Sequence, residues 1–402
     1  MWGFMSSQNI ELGQSASTMS KVLLFAGIML VAANLRTAIT GVGPLMDMIS
    51  KGTGLSFTME GLLTTLPLLA FAAFSPLAPM IARKIGIERT LGASLLVLTL
   101  GILLRYIPLQ LTLLAGMLFA GVGIAMGNVL LPGLIKRDFP SQVGLMTGMY
   151  TLFMSGCAAV SSGISVPLAN IQGIGWQGSL ACWAILSVIG LLVWLPQLRK
   201  RHVPRQAKGV GTLWKSLLAW QVTFFMGLQS FLFYVNVAWL PSLLQSRGMS
   251  VVMAGFMLSL MQIVSLAASF IVPVVADKLR DQRGLIVSIV ILFLIGYIGL
   301  LSGINTLDWL WVVFIGLAGG GSISLALALF GLRSQTADEA AKLSGMAQSI
   351  GYLLAAIGPI LIGFLHDVTG AWQVPLIVLV ASVLLMLITG IGAGRNAYVI
   401  AS

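Results

Sequence analysis

Few residues in this chain can do chemistry, and the first is a lone guanidinium inside an apolar run. The stretch Ala33-Asn34-Leu35-Arg36-Thr37-Ala38-Ile39-Thr40-Gly41-Val42-Gly43-Pro44 lies in a segment that opens after Lys21 and fades near Met48. That puts Arg36 about fifteen residues in, which at a rise of about 1.5 Å per residue is close to mid-membrane for a spanning helix. Estimates of the cost of a charge there run from about 3 to more than 10 kcal/mol, so the side chain is expected to face a bundle interior or a watered cavity. The planar, permanently charged fork suits carboxylate, nitro or phosphate oxygens. Satisfaction by neighbouring carbonyls is the structural alternative. Asn34 flanks Arg36, and Thr40 follows one turn later on the same face, placed to share its ligand. Pro44 cannot donate to the carbonyl of Thr40, so the end of this helix is expected to bend or unwind, and Pro44 becomes a gating candidate.

The remaining wall of a binding site is sought among polar and aromatic side chains at similar depth: Tyr150 and Phe153, then Gln229, Phe233 and Tyr234, then Gln262, then Gln348 and Tyr352. Rings that stack and amides that orient fit a small planar polar solute. Each of them also fits a helix-helix hydrogen bond or packing role. Asn128, nearer the other end of its helix, is assigned to an inner gate. No carboxylate falls at mid-membrane. Asp47 and Glu60 sit near helix ends, and His202 and His366 lie at the margins, so coupling through a buried acid is not expected. For the same reason no enzymatic acid-base set and no metal site are expected. The glycine clusters Gly121, Gly123, Gly127 and Gly319, Gly320, Gly321 follow no strand and read as helix packing rather than a phosphate cradle, so no cofactor is expected. Cys157 and Cys182 read as isolated buried thiols, and Trp176, Trp309 and Trp372 as interfacial anchors.

The elements that position these residues follow from composition. Of 402 residues 58% are hydrophobic and only 8% charged, with a mean hydropathy of +1.01, whereas soluble domains are about one-quarter charged. The chain reads as an all-α polytopic membrane protein of twelve transmembrane helices, near 21–48, 56–81, 90–106, 109–134, 142–168, 179–196, 216–245, 251–275, 285–303, 309–332, 344–366 and 373–393. Of the 22 Lys and Arg, all but Arg36, Lys51, Arg105 and Arg247 fall on the side shared by both termini, which makes both termini cytoplasmic. The net charge of +11 is accounted for by lipid headgroups, with no nucleic acid partner. Residues 197–214 form a basic linker between two six-helix halves, 1–196 and 215–402. The halves align with Pro241 on Pro44, Pro273 on Pro76, and Gly345-Met346 on Gly148-Met149, a pattern expected of a duplicated unit with its site between halves.

Several motifs carry a resemblance. Ala276-Asp277-Lys278 after the eighth helix is similar to the cytoplasmic loop motif of the major facilitator superfamily, although the first-half loop departs from it, with Arg83 at the acidic position and Ile87 at a basic one. Asn34-Leu35-Arg36 through Gly43-Pro44, Gly127-Asn128 through Pro132 to Lys136-Arg137-Asp138, and Gly351-Tyr352 through Gly358-Pro359 to His366-Asp367 resemble the cyanate permease group of that superfamily. The resemblance spans nearly the whole chain. It implies an alternating-access secondary transporter of the inner membrane, working as a monomer on a small flat anionic or nitro-bearing solute, with Asp277 and Lys278 in the gate. The alternatives are a small-carboxylate uptake carrier and an anion-selective channel.

Overall fold

The computed structural model describes residues 22–55, 57–199 and 210–399. Most of the expected linker lies outside the described residues, as do the side chains of Asp47 and Glu60. The chain is all-helical there, because in lipid a backbone must satisfy its own hydrogen bonds. Helix α1 covers 22–40, and α2 is Met46–Thr53. The second span is α3, Phe57–Phe74, followed by α4, Leu77–Ile85, then α5, Ile87–Leu104, α6, Gln110–Asp138, and α7, Val143–Ala169. The sixth span combines α8, Gly175–Ala181, with α9, Trp183–Trp194. The second half comprises α10, Leu217–Ser246, α11, Val251–Lys278, α12, Arg283–Leu301, α13, Asp308–Leu332, α14, Ala337–Thr369, and α15, Gln373–Ala393. Eleven of these are long and apolar enough to cross a membrane, and a bent pair supplies the twelfth span.

The second span departs from the straight helix expected over 56–81. It bends by 55° between Phe74 and Leu77, where Pro76 caps α4 and has no N–H to continue α3. The expected break at the end of the first span is present. Helix α1 stops at Thr40, Val42 N donates to the Ile39 carbonyl at 3.1 Å, and Gly43–Leu45 forms a single 3-10 turn before α2.

Close approach of backbones organises the bundle. On Gly320 of α13 an added Cβ would stand 2.0 Å from the Ser265 carbonyl of α11, and on Gly123 of α6 it would stand 2.6 Å from the Ser94 carbonyl of α5. These positions are bare because the facing helix is in the way. At the end that carries the basic loops, the two halves meet directly. Gly144 of α7 lies under Pro273 and Asp277 of α11, and Gly345 of α14 against the Ser75 carbonyl. Ser349 Oγ donates to the Ala72 carbonyl at 2.6 Å, and Thr151 Oγ1 to the Ser269 carbonyl at 2.9 Å. The chain's C-terminal segment is pinned at the same end. Arg333 donates through Nε to the Ala393 carbonyl at 2.8 Å and through Nη2 to Gln282 and the Gly394 carbonyl, while Val399 N donates to the Arg333 carbonyl. Burial pulls that guanidinium down to about 10, which leaves it charged at neutral pH.

Candidate functional site

Arg36 projects from α1 one turn before its end, half-buried, into a cavity between the two halves. Its guanidinium lies over the Phe233 ring, 4.9 Å from the centroid, a contact that is electrostatically favourable and supplies no hydrogen-bond acceptor. Tyr150, Tyr234 and Tyr352 stand close enough for its charge to act on them. Phe71 closes this cluster, its ring 4.8 Å from that of Tyr352. Among the described residues Arg36 has neither an ion-pair partner nor a hydrogen-bonded protein oxygen. The hydroxyl of Tyr150 is likewise buried without a partner, and a buried polar group left in that condition costs about 1–3 kcal/mol. An unpaired cation and an unpartnered buried phenol therefore lie within electrostatic reach of each other.

Gln262 lines the same cavity from α11, together with Ser265 and Ser269 of that helix, Asn236 of α10 and Ser155 of α7. Three of these follow from residues singled out in the sequence by helical spacing alone, since Asn236 is three after Phe233, and Ser265 and Ser269 are three and seven after Gln262. Ser155 and Phe71 carried no such signal.

Other expected site residues sit elsewhere. Phe153 is 41% exposed, on an apolar stripe with Leu145, Val160 and Ile164, so it faces outward and is withdrawn from the site. Asn34 is structural, donating to the Leu30 carbonyl at 2.8 Å and the Leu186 carbonyl at 3.4 Å, which ties α1 to α9. Gln229 spends its amide locally on Ser230 Oγ at 2.6 Å and Met226 Sδ at 3.2 Å. Thr40 Oγ1 donates to backbone carbonyls of Arg36 and Ala158 rather than sharing the ligand of Arg36. Gln348 donates to Ser344 Oγ at 2.7 Å, and its Oε1 is buried without a partner. Asn128 is buried beside Gly127, whose added Cβ would meet the Leu35 side chain at 2.6 Å, which places it at the depth of Arg36 rather than at the inner end. Asp277 lies at the closed seam, within electrostatic reach of Lys136, while Lys278 is exposed. Pro44 is exposed at the broken end of α1. Trp176 is no interfacial anchor, being buried with its indole against Gly52.

A second arginine, counted in the sequence only as a basic residue on the outer side, is buried within the bundle. Arg105, at the end of α5, is 1% exposed and turns inward. Its Nη1 donates to the Ala38 carbonyl at 2.6 Å and meets Met117 Sδ at 3.5 Å, while Nε and Nη2 have no hydrogen-bond partner. The side chain passes over Gly116, where an added Cβ would stand 2.5 Å from its Cγ. Ala38 belongs to the last turn of α1, whose carbonyls the break leaves without intrahelical partners. Arg105 fills that vacancy, and Ser161 Oγ does so for the Thr37 carbonyl at 2.9 Å. The helix bearing Arg36 is thereby fixed from two sides. The seam between α7 and α11 closes from Gly144 to Thr151, and the cavity begins at Ser155, one turn further along the same face.

Comparison with known proteins places this arrangement. A model of the Major Facilitator Superfamily matches residues 24–359. The chain is 47% identical over 382 residues to an uncharacterized transporter of Bacillus subtilis (strain 168), YycB, covering 94% of this chain and 95% of that one. It is 43% identical over 386 residues to the 2-nitroimidazole transporter of Escherichia coli (strain K12), covering 95% and 98%. To the cyanate transport protein CynX of the same organism it is 29% identical over 347 residues, covering 85% and 90%. Among solved structures, the proton:xylose symporter XylE superposes with a TM-score of 0.76 at 11% identity, over 92% of this chain and 95% of that one.

Proposed function

The chain belongs to the major facilitator superfamily, and from that premise we propose that it is an alternating-access carrier of a small planar solute bearing an anionic or nitro group, held at mid-membrane by Arg36. The observation that carries this reading is the state of Arg36: a permanent cation facing a cavity between the halves, with no acid and no hydrogen-bonded protein oxygen to meet it among the described residues. Two nitro or carboxylate oxygens complete its fork, and charge-assisted hydrogen bonds of that kind are roughly twice as strong as neutral ones. Phe233, Tyr150, Tyr234 and Tyr352 supply ring faces and hydroxyls around it. The names of the relatives, 2-nitroimidazole and cyanate transporters, fit that chemistry. With the seam closed at the basic end, the solute enters from the opposite end. By the distribution of basic residues that opposite end is the outer face of a bacterial cytoplasmic membrane, and the described contacts represent the outward-facing state. The residues that close the seam, with Asp277 beside Lys136, act as the inner gate, and one chain of two halves works as a monomer. No described acid shares the cavity with Arg36, so any coupling ion travels with the solute or binds away from it.

The test is binding and flux with purified protein in liposomes, using 2-nitroimidazole and cyanate as probes. Arg36→Ala is expected to weaken binding of the transported probe by about 100-fold or more, the loss of two charge-assisted hydrogen bonds. Arg36→Lys, which keeps the charge and loses the fork, is expected to fall between. Saturable flux with counterflow marks a carrier, and unsaturating conductance marks a pore. Normal transport by Arg36→Ala would sink the reading.

A further inference from the structure

The glycines of α13 do not all serve the same end. On Gly316 an added Cβ would stand 2.5 Å from the Met261 carbonyl of α11, and on Gly320 it would stand 2.0 Å from the Ser265 carbonyl. Both are bare because two backbones touch. Gly319, on the same face, meets nothing within 4 Å, is half-exposed, and lines the cavity that holds Arg36 and Phe233. Helix packing explains its neighbours and leaves Gly319 unexplained. An alanine there costs the fold nothing in contacts and improves helix propensity by about 1 kcal/mol, so in a helix interior the absence of a side chain calls for another cause.

Resting on the reading of Arg36 as the anchor, we propose that Gly319 is a specificity-determining residue: its bare face is the floor of a recess that accepts the ring of a ring-bearing solute whose charged or nitro group is held by Arg36. Phe233 and Phe293 line the same cavity as Gly319, together with the polar side chains of Gln262 and Ser265. Aromatic faces and a flat backbone around a few hydrogen-bonding groups are what a planar ring needs. A ringless anion such as cyanate is satisfied at the guanidinium and has no use for the recess. Gly319 therefore sorts these two classes of solute while contributing no hydrogen bond of its own.

The experiment compares the full-length wild type with Gly319→Ala, Gly319→Leu and Arg36→Ala, reading dissociation constants for 2-nitroimidazole and for cyanate, with the melting temperature of each unliganded protein as control. Gly319→Leu is expected to weaken 2-nitroimidazole at least 10-fold and cyanate by less than 2-fold, Gly319→Ala to give a smaller change in the same direction, and the melting temperatures to stay level or rise. A Gly319→Leu protein that binds 2-nitroimidazole as the wild type does overturns the recess, as does equal weakening of both probes or a wild type that takes cyanate alone. A wild type that takes only the ring-bearing probe decides the matter by the first comparison. In each of these cases Arg36→Ala reports separately on the anchor, because unchanged binding in that variant removes the Arg36 reading while a Gly319 failure leaves it standing.

Discussion

At the scale of single residues, the candidate site includes groups the protein leaves unsatisfied, Arg36 and Tyr150. Tyr150 shows how such a group differs from a structural one. Its hydroxyl is buried, lies within electrostatic reach of Arg36, and has no partner. Removing an unsatisfied buried hydroxyl relieves its desolvation cost, so Tyr150→Phe is expected to hold or raise the melting temperature. If the hydroxyl donates to the solute, the same change weakens binding by up to about 10-fold, the worth of one neutral hydrogen bond. Thermal melts with and without solute separate these effects, and a variant with unaltered affinity removes Tyr150 from the site. Phe153→Ala, on the exposed stripe, is expected to leave affinity within 2-fold. The contrast shows what was legible in the sequence at this scale. Arg36 stood out because a charge amid apolar residues is costly wherever its helix turns. The orientation of a phenylalanine is set by packing, and residue type alone could not separate Phe153 from Phe233.

At the scale of the element, the break in the first span was legible and its support was not. Gly41, Gly43 and Pro44 together predicted the end of α1, and the aligned Pro241 and Pro273 show that proline alone does not make a break. Pro241 lies inside continuous α10 and Pro273 inside continuous α11, whereas Pro76, aligned with Pro273, ends a helix with a 55° bend. Neighbouring helices decide whether the freed carbonyls are met. For α1 they are met by Arg105 and Ser161, which lie 67 and 124 residues away in sequence, a separation no local pattern reports. Gly101 and Gly116 let α5 and α6 approach beneath the side chain of Arg105. Arg105→Met keeps the length and loses the donors. It is expected to lower affinity for a solute about 10-fold by loosening the helix that aims Arg36, and to destabilise the protein little, since a buried charge with two unpaired nitrogens leaves with it. Arg105→Lys, retaining one donor for Ala38, is expected to recover part of the affinity. Isothermal titration of the three proteins checks this, and equal affinities would mean that Arg105 only fills space.

At the scale of the molecule, the repeat suggested by Gly148-Met149 and Gly345-Met346 falls at the joint between halves. Gly148 sits against the Phe270 carbonyl of α11 and Gly345 against the Ser75 carbonyl at the bend of the second span, each carrying an added Cβ to 2.9 Å. The two contacts are counterparts, fifth span on eighth and eleventh on second, and on the proposed alternating-access reading they are the surfaces that separate. What the sequence could not provide is which state these contacts stabilise, because that is a property of packing across the two halves. Gly144 allows the question to be put. An added Cβ there would stand 2.2 Å from the Pro273 carbonyl and 2.3 Å from Asp277 Cβ, so a valine cannot be seated while the basic end is closed. Overpacking of this kind costs about 1–3 kcal/mol, and a cost borne by one state alone shifts a two-state equilibrium by about 5- to 150-fold. Gly144→Val is therefore expected to favour the state open at the basic end. Spin labels placed on α7 and α11 near that end are expected to move apart, and the apparent affinity for solute added from the opposite side is expected to fall while Arg36 and its neighbours stay intact. If the label distance does not change and the protein simply melts earlier, the seam at Gly144 is part of a static core, and the moving surface lies elsewhere between the halves.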